Sequence, residues 1–150
     1  QRTGVALDAS LLGRLSGLGG LKDSSCQPGN LGPFRAALPG RPLVVGDETL
    51  LWDALDAGWI GTISGVANVM PGWLSTIVRE YPSESARTKF EMALPAIRRV
   101  KSAVQPATHK EILRRMGVIP RADVRLPLLP PASAEVDEVV RELRAIGVKG

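Results

Sequence analysis

Three short apolar runs decide most of what this chain can become. Residues 18–21, 42–45 and 60–63 lie about 20 residues apart, and a helical pattern follows each of them. Each run is continuous rather than alternating, which is the pattern of parallel strands covered on both faces. Parallel neighbours need a crossover connection, and this spacing leaves room for one helix. The arithmetic is that of βα units, in a doubly wound sheet or in a (β/α)8 barrel.

The intervening segments fit that reading. Leu7, Leu11, Leu12 and Leu15 recur at helical spacing within residues 5–17, with Asp8 and Ser10 near the start and Gly17 as the stop. Residues 29–38 predict a helix through Leu31, Phe34 and Leu38, with Gly32-Pro33 marking its start. Residues 49–57 predict another, with Leu50, Leu51, Ala54 and Leu55 inward. Residues 70–81 form the next, and Pro71 suits its first turn. From residue 82 the pattern is helical throughout. A long amphipathic helix spans 83–104, with Phe90, Met92, Leu94, Ile97, Val100 and Val104 as apolar positions and Pro95 inside it. A short helix over 108–116 stops at Gly117, residues 120–131 form a proline-punctuated loop, and Ser133 opens a last helix over 135–146 that stops at Gly147. The chain therefore divides, on pattern, into an α/β part over 1–80 and a helical part over 81–150.

Composition narrows the function classes. The chain has 150 residues, 44% hydrophobic and 23% charged, which fits an ordinary folded domain. No apolar run approaches the ~18 to 20 residues of a spanning helix, so no membrane segment is expected. Nineteen basic groups against fifteen acids give a net charge of +4. The excess falls in the second part, on helical patterns already mixed with acids, and few aromatics accompany it. No stacking platform for nucleic acid is expected there. Cys26 is the only cysteine and His109 the only histidine. No intramolecular disulfide is possible, no Cys/His metal site can be built from this chain, and a Ser–His–Asp triad would have to run through His109 without a nucleophile elbow. Nothing demands an oxidising compartment, and a cytoplasmic location is the expectation.

Ligands of parallel α/β folds bind in the loops at the carboxyl ends of the strands. Three such loops are Lys22-Asp23-Ser24-Ser25, Gly46-Asp47-Glu48 and Ile63-Ser64-Gly65. Lys22 is the only lysine before Lys89 and it ends an apolar run. In a barrel mouth such a lysine is partly desolvated, which favours the neutral amine that attacks a carbonyl. The competing reading is a strand-end lysine reaching to solvent. Asp47 reads as a general base or, more strongly, as a helix N-cap. Ser24 and Ser25 read as loop and cap residues, and Cys26 as a buried or inert thiol.

These residues, in this order, resemble a known family. Arg2-Thr3-Gly4-Val5, Gly20-Leu21-Lys22-Asp23-Ser24-Ser25, Gly46-Asp47-Glu48 and Gly61-Thr62-Ile63-Ser64-Gly65-Val66-Ala67-Asn68 are similar to the dihydrodipicolinate synthase / N-acetylneuraminate lyase family. Gln105-Pro106, Lys110 and Arg125-Leu126-Pro127 resemble its C-terminal helical region. The resemblance implies a (β/α)8 barrel, of which this chain carries the last three βα units and the helical appendix. It implies a homotetramer, and class I aldolase chemistry with neither metal nor organic cofactor. Lys22 then matches the imine-forming lysine, which takes the ketone of pyruvate. Arg2 matches an arginine that binds a substrate carboxylate, Gly46 a glycine lining the pocket of the second substrate, and Ile63 a position whose backbone contacts pyruvate.

Two departures qualify the expectation. The family's proton-shuttling tyrosine and the threonines of its earlier strands would precede Gln1. Lys-Asp-Ser stands where many synthases have Lys-Glu-Ala, and that variant resembles the sugar-acid aldolases and dehydratases. The reading is a synthase-type lyase that condenses pyruvate with an aldehyde, aspartate semialdehyde. The alternatives are a 2-keto-3-deoxy sugar-acid aldolase or dehydratase, and a non-catalytic half-barrel that acts only in assembly. A chain with three strands leaves sheet edges unpaired, so the expectation is a longer molecule or a complementary half.

Overall fold

A computed structural model describes residues 6–149. The chain divides into two compact units, one ending at Ser64 and the other beginning at Gly65.

The first unit alternates helix and strand: α1 (Ala9–Arg14), β1 (Leu21–Asp23), α2 (Leu31–Ala37), β2 (Leu43–Val45), α3 (Leu51–Asp56) and β3 (Gly61–Thr62). The three strands form one parallel sheet in the order β1-β2-β3. Leu21 pairs with Leu43, Lys22 with Val44 and Asp23 with Val45, and Val44 and Val45 pair in turn with Gly61 and Thr62. Alternate residues of a strand face opposite ways. Leu43 and Val45 therefore face the helices, where they are buried with Leu12, Leu31, Phe34, Leu38, Ala54 and Trp59. The Trp59 indole N–H donates to the Leu31 carbonyl at 3.0 Å, so its one polar atom is satisfied inside this core. Asp8 caps α1 by accepting from the Leu11 N–H at 2.7 Å.

The second unit is helical: α4 (Pro71–Glu80), α5 (Glu84–Ser102), α6 (Ala107–Arg115) and α7 (Ser133–Ala145). Pro71 sits in the first turn of α4, and Ser83 caps α5 by accepting from the Ala86 N–H at 3.2 Å. The core of the unit is a stripe of α5 (Ala86, Phe90, Ala93, Ile97, Val100) packed on α4 and on the buried valines and Leu143 of α7. Arginines tie the helices at their edges. Arg99 of α5 donates to Glu138 at 2.8 Å and Glu142 at 3.1 Å, and Arg115 of α6 reaches Ser133 and Asp137 of α7. Gly117 and Gly147 follow their helices at φ +80° and +82°, a conformation that a side chain would strain.

Several expectations change. The first strand is not 18–21 but Leu21–Asp23. Hydrophobicity located the segment, whereas pairing with the neighbouring strand fixes its limits: the ladder opens with the Leu21 N–H donating to Pro42 at 3.0 Å, and Leu18 packs on the core ahead of it. Lys22 thus lies inside the strand rather than at its end. The strands are covered on one face only among the described residues. The helix expected over 5–17 is shorter, and Val5 lies outside the described residues. Met92 and Val104, expected on the apolar stripe of the long helix, are exposed, and Ala86, Ala93 and Ala96 are buried in that stripe instead. The helix over 71–80 packs against α5 within the second unit.

Candidate active site

The open face of the sheet carries three of the sequence-predicted site residues, Lys22, Gly46 and Ile63. Lys22 faces away from the helices and is exposed. The ladder runs on past the strand ends. The Gly46 N–H donates to the Asp23 carbonyl at 2.7 Å and the Ile63 N–H to the Val45 carbonyl at 3.0 Å. Ser24, Gly46 and Ile63 therefore form the next layer, two residues beyond Lys22, Val44 and Gly61 and on the same face. Gly46 is close to the lysine: a Cβ built on it would overlap the Ser24 hydroxyl and lie 3.1 Å from Lys22 Cε. The structure thus brings Lys22, Gly46 and Ser24 together. Ile63 is an exposed side chain at the end of β3. Arg2 lies outside the described residues. The desolvation expected for Lys22 in a barrel mouth is not provided by the described residues, which leave it exposed.

Beneath this face the loops are fixed by side chains. The Asp23 carboxylate accepts from the Ser25 N–H at 2.8 Å, the Ser25 hydroxyl at 2.9 Å and the Asn30 amide at 3.3 Å. Asn30 also donates to the Ser25 hydroxyl oxygen at 3.0 Å. Asp47 is buried and accepts from the Thr49 N–H at 3.0 Å and the Thr49 hydroxyl at 2.6 Å, the N-cap geometry of the short helical turn 48–50. Glu48 beside it is buried as well. The Thr62 hydroxyl donates to the Val45 carbonyl at 2.8 Å. Sequence reading assigned no role to Asp23 or Asn30. The signal for Asp23 was the Asp-x-Ser spacing of a side-chain-closed turn. Cys26 is exposed, with φ +60°, which removes burial from the expectation of a buried or inert thiol: the turn carries it outward.

His109 is buried in the second unit, and its Nε2 lies 3.3 Å from where a Cβ on Gly65 would sit. A depression of about 550 Å³ in the same unit is lined by residues including Pro106, Lys110, Arg125 and Leu126. It contains none of the predicted catalytic or substrate-binding residues. Among the described residues no cluster of three His, Cys, Asp or Glu side chains has the arrangement of a metal site. No helix among them is long and apolar enough to cross a membrane.

A parallel sheet with helices on one face, an amine on the other and an all-helical extension defines the closing βα units of a (β/α)8 barrel. The family model for the dihydrodipicolinate synthetase family matches residues 1–146, and the chain belongs to that family. It is 30% identical over 146 residues to a 4-hydroxy-tetrahydrodipicolinate synthase of Methanosarcina barkeri, covering 91% of this chain and 48% of that one. A monomeric dihydrodipicolinate synthase variant superposes with a TM-score of 0.86 at 25% identity, covering 98% of this chain and 52% of the other. The Acinetobacter baumannii dihydrodipicolinate synthase, solved in complex with pyruvate, superposes with a TM-score of 0.85 at 25% identity over 97% and 52%. The chain spans about half the length of the curated relatives it matches.

Proposed function

We propose that this chain carries the imine-forming half of a dihydrodipicolinate synthase-type lyase. The Lys22 amine attacks the ketone carbon of pyruvate and water leaves, giving a protonated imine. The imine withdraws electrons, so the pyruvate methyl group loses a proton and becomes an enamine. The enamine carbon bonds to the carbonyl carbon of an aldehyde, aspartate semialdehyde, whose oxygen takes up a proton; the amine of the joined semialdehyde then attacks the re-formed imine carbon, which breaks the bond to the Lys22 nitrogen and frees the lysine. Arg2 binds a substrate carboxylate through a bidentate guanidinium. Gly46 lines the second-substrate pocket. The Ile63 N–H is engaged by Val45, which leaves its carbonyl for the contact to pyruvate. The molecule works as a cytoplasmic homo-oligomer, a tetramer, with no cofactor.

The observation that carries this reading is the placement of Lys22 on the open face of a parallel sheet, directly beside Gly46. The match to the family and the pyruvate complex of a relative support it. The test is incubation of the full chain with pyruvate and borohydride, then peptide mapping. A reduced adduct on Lys22 is the expected result, and its absence removes the proposal. The Ser24 hydroxyl on the same face favours one second reading, a hydroxylated sugar-acid aldehyde as the partner. Assays of aspartate semialdehyde condensation against sugar-acid cleavage separate the two.

A further inference from the structure

The Asp23 carboxylate is a well-bonded polar group beside the candidate site, and the imine reading gives it no chemical step. It lies on the helix-covered side of the sheet, between two residues that face the open side, Lys22 and Ser24. Its oxygens accept three hydrogen bonds, two from Ser25 and one from Asn30. Asn30 closes the set by donating to Ser25 as well, and it is the residue from which α2 starts. The Asp23 carbonyl meanwhile accepts from Gly46 at 2.7 Å. One residue thus anchors the chain in two directions, to its own loop through the side chain and to β2 through the backbone.

This matters because β1 is only three residues long. Its ladder with β2 pairs Leu21, Lys22 and Asp23 alone, so the turn that follows has a large share in fixing the direction of the backbone that carries Lys22. Hydrogen bonds accepted by a carboxylate are about twice as strong as neutral ones and fix direction. Reaction at an amine requires the nucleophile and the carbonyl carbon to meet in near-attack geometry, and a misplacement of about 1 Å costs on the order of 10²-fold. The geometry points to the Asp23–Ser25–Asn30 cluster as a positioning device: it holds the turn after β1 so that Lys22 and Ser24 stay aligned against Gly46. This rests on the imine role of Lys22.

The role is separable from ordinary loop stability because the partners differ in chemistry. Ser25→Thr keeps both the N–H and the hydroxyl that Asp23 accepts from, whereas Ser25→Ala keeps only the N–H. Asn30→Ala removes the link to α2 and leaves β1 untouched. The experiment measures, in the full chain, the rate of borohydride-trapped adduct formation with pyruvate from pH 6 to 9, together with kcat, KM and the melting temperature. Ser25→Ala and Asn30→Ala are expected to lower the trapping rate and kcat on the order of 10- to 100-fold, as a misplaced reacting group does. KM for pyruvate and the melting temperature should change little, and Ser25→Thr should restore the rate. Trapping at the unaltered rate and pH profile in Ser25→Ala and Asn30→Ala overturns the positioning role while the Lys22 imine stands. A rate loss that tracks the melting temperature, unrescued by Ser25→Thr, overturns it too. No adduct in the unsubstituted chain removes the imine reading first, and the positioning role with it.

Discussion

Gly46 faces the Lys22 side chain so closely that a methyl group on its Cα would lie 3.1 Å from the lysine Cε and inside the Ser24 hydroxyl. Gly46→Ala therefore pushes against the two side chains that the candidate site depends on. The substitution is expected to lower kcat/KM on the order of 10²-fold, the scale of a misplaced reacting group. Steady-state kinetics beside a thermal melt check this. Unchanged kinetics would mean that Lys22 does not react from this position.

Lys22→Arg keeps a positive charge and a long side chain on the exposed face. The fold should be unaffected, because Lys22 contributes nothing to the buried core. A guanidinium stays protonated and cannot form the imine. Activity should vanish with an unchanged melting temperature, and mass spectrometry after pyruvate and borohydride should find no adduct at residue 22.

Asp47 offers a clean separation of structure from chemistry. It caps a helical turn through Thr49, so Asp47→Ala should cost about 1 kcal/mol of stability, and Asp47→Asn should restore most of it because an amide oxygen still accepts. Urea titration measures both. If Asp47 were a general base, Asp47→Asn would keep the stability and lose the activity; retention of both is the expected outcome.

The acid response of the helical unit has a named source. Glu111 accepts hydrogen bonds from Arg114 at 2.6 and 2.8 Å and from Arg115 at 2.9 Å, and these hold its carboxyl down to about 2, with the Arg114 bond the largest cause. A carboxyl depressed in the folded state stabilises fully above its ordinary value, and that stability is lost as the pH falls toward the folded value. The loss should run from about pH 4.5 down to about pH 2. The cluster is near the surface and screened, so the amount is roughly 1 kcal/mol or less. Glu111→Gln should flatten the melting temperature across that window, and thermal melts at each pH read it.

Trp59 is buried with its indole N–H on the Leu31 carbonyl. Trp59→Phe should cost roughly 1 kcal/mol for the lost hydrogen bond, before any cavity effect. Equilibrium unfolding followed by near-ultraviolet circular dichroism measures it.

The βα arithmetic was legible because it rests on patterns that local chemistry enforces. Pro71 and Ser83 mark helix starts in the sequence and occupy them in the structure. The strand pattern put Lys22 and Gly46 at the same end of the sheet, but no spacing between residues 22 and 46 encodes how closely the lysine side chain approaches the glycine. The limits of β1 were misread because Leu18 to Leu21 is more apolar than Leu21-Lys22-Asp23, while strand pairing depends on backbone partners and ignores hydrophobicity. Cys26 was misplaced for a related reason. A cysteine near a strand predicts burial on average, but the turn closed by Asp23 takes it outward. Met92 is two residues from Phe90 and five from Ile97, off the stripe that those two share, and Val104 lies beyond the end of α5 at Ser102, so both are exposed while Ala86, Ala93 and Ala96 fill the inner face.

The pairing of Lys22 with Val44 has a last consequence, one of parity. Along a strand, odd and even positions look in opposite directions. Lys22 and Asp23 are adjacent, so a slip of β1 by a single residue would exchange an amine for a carboxylate on the open side and send the lysine among the helices. Insertion of one residue between Leu21 and Lys22 would leave composition and net charge nearly unchanged, yet turn Lys22 toward the helices and Asp23 toward the open side. In this chain the hydrogen-bond ladder selects not only a shape but which of two opposite charges meets the solvent.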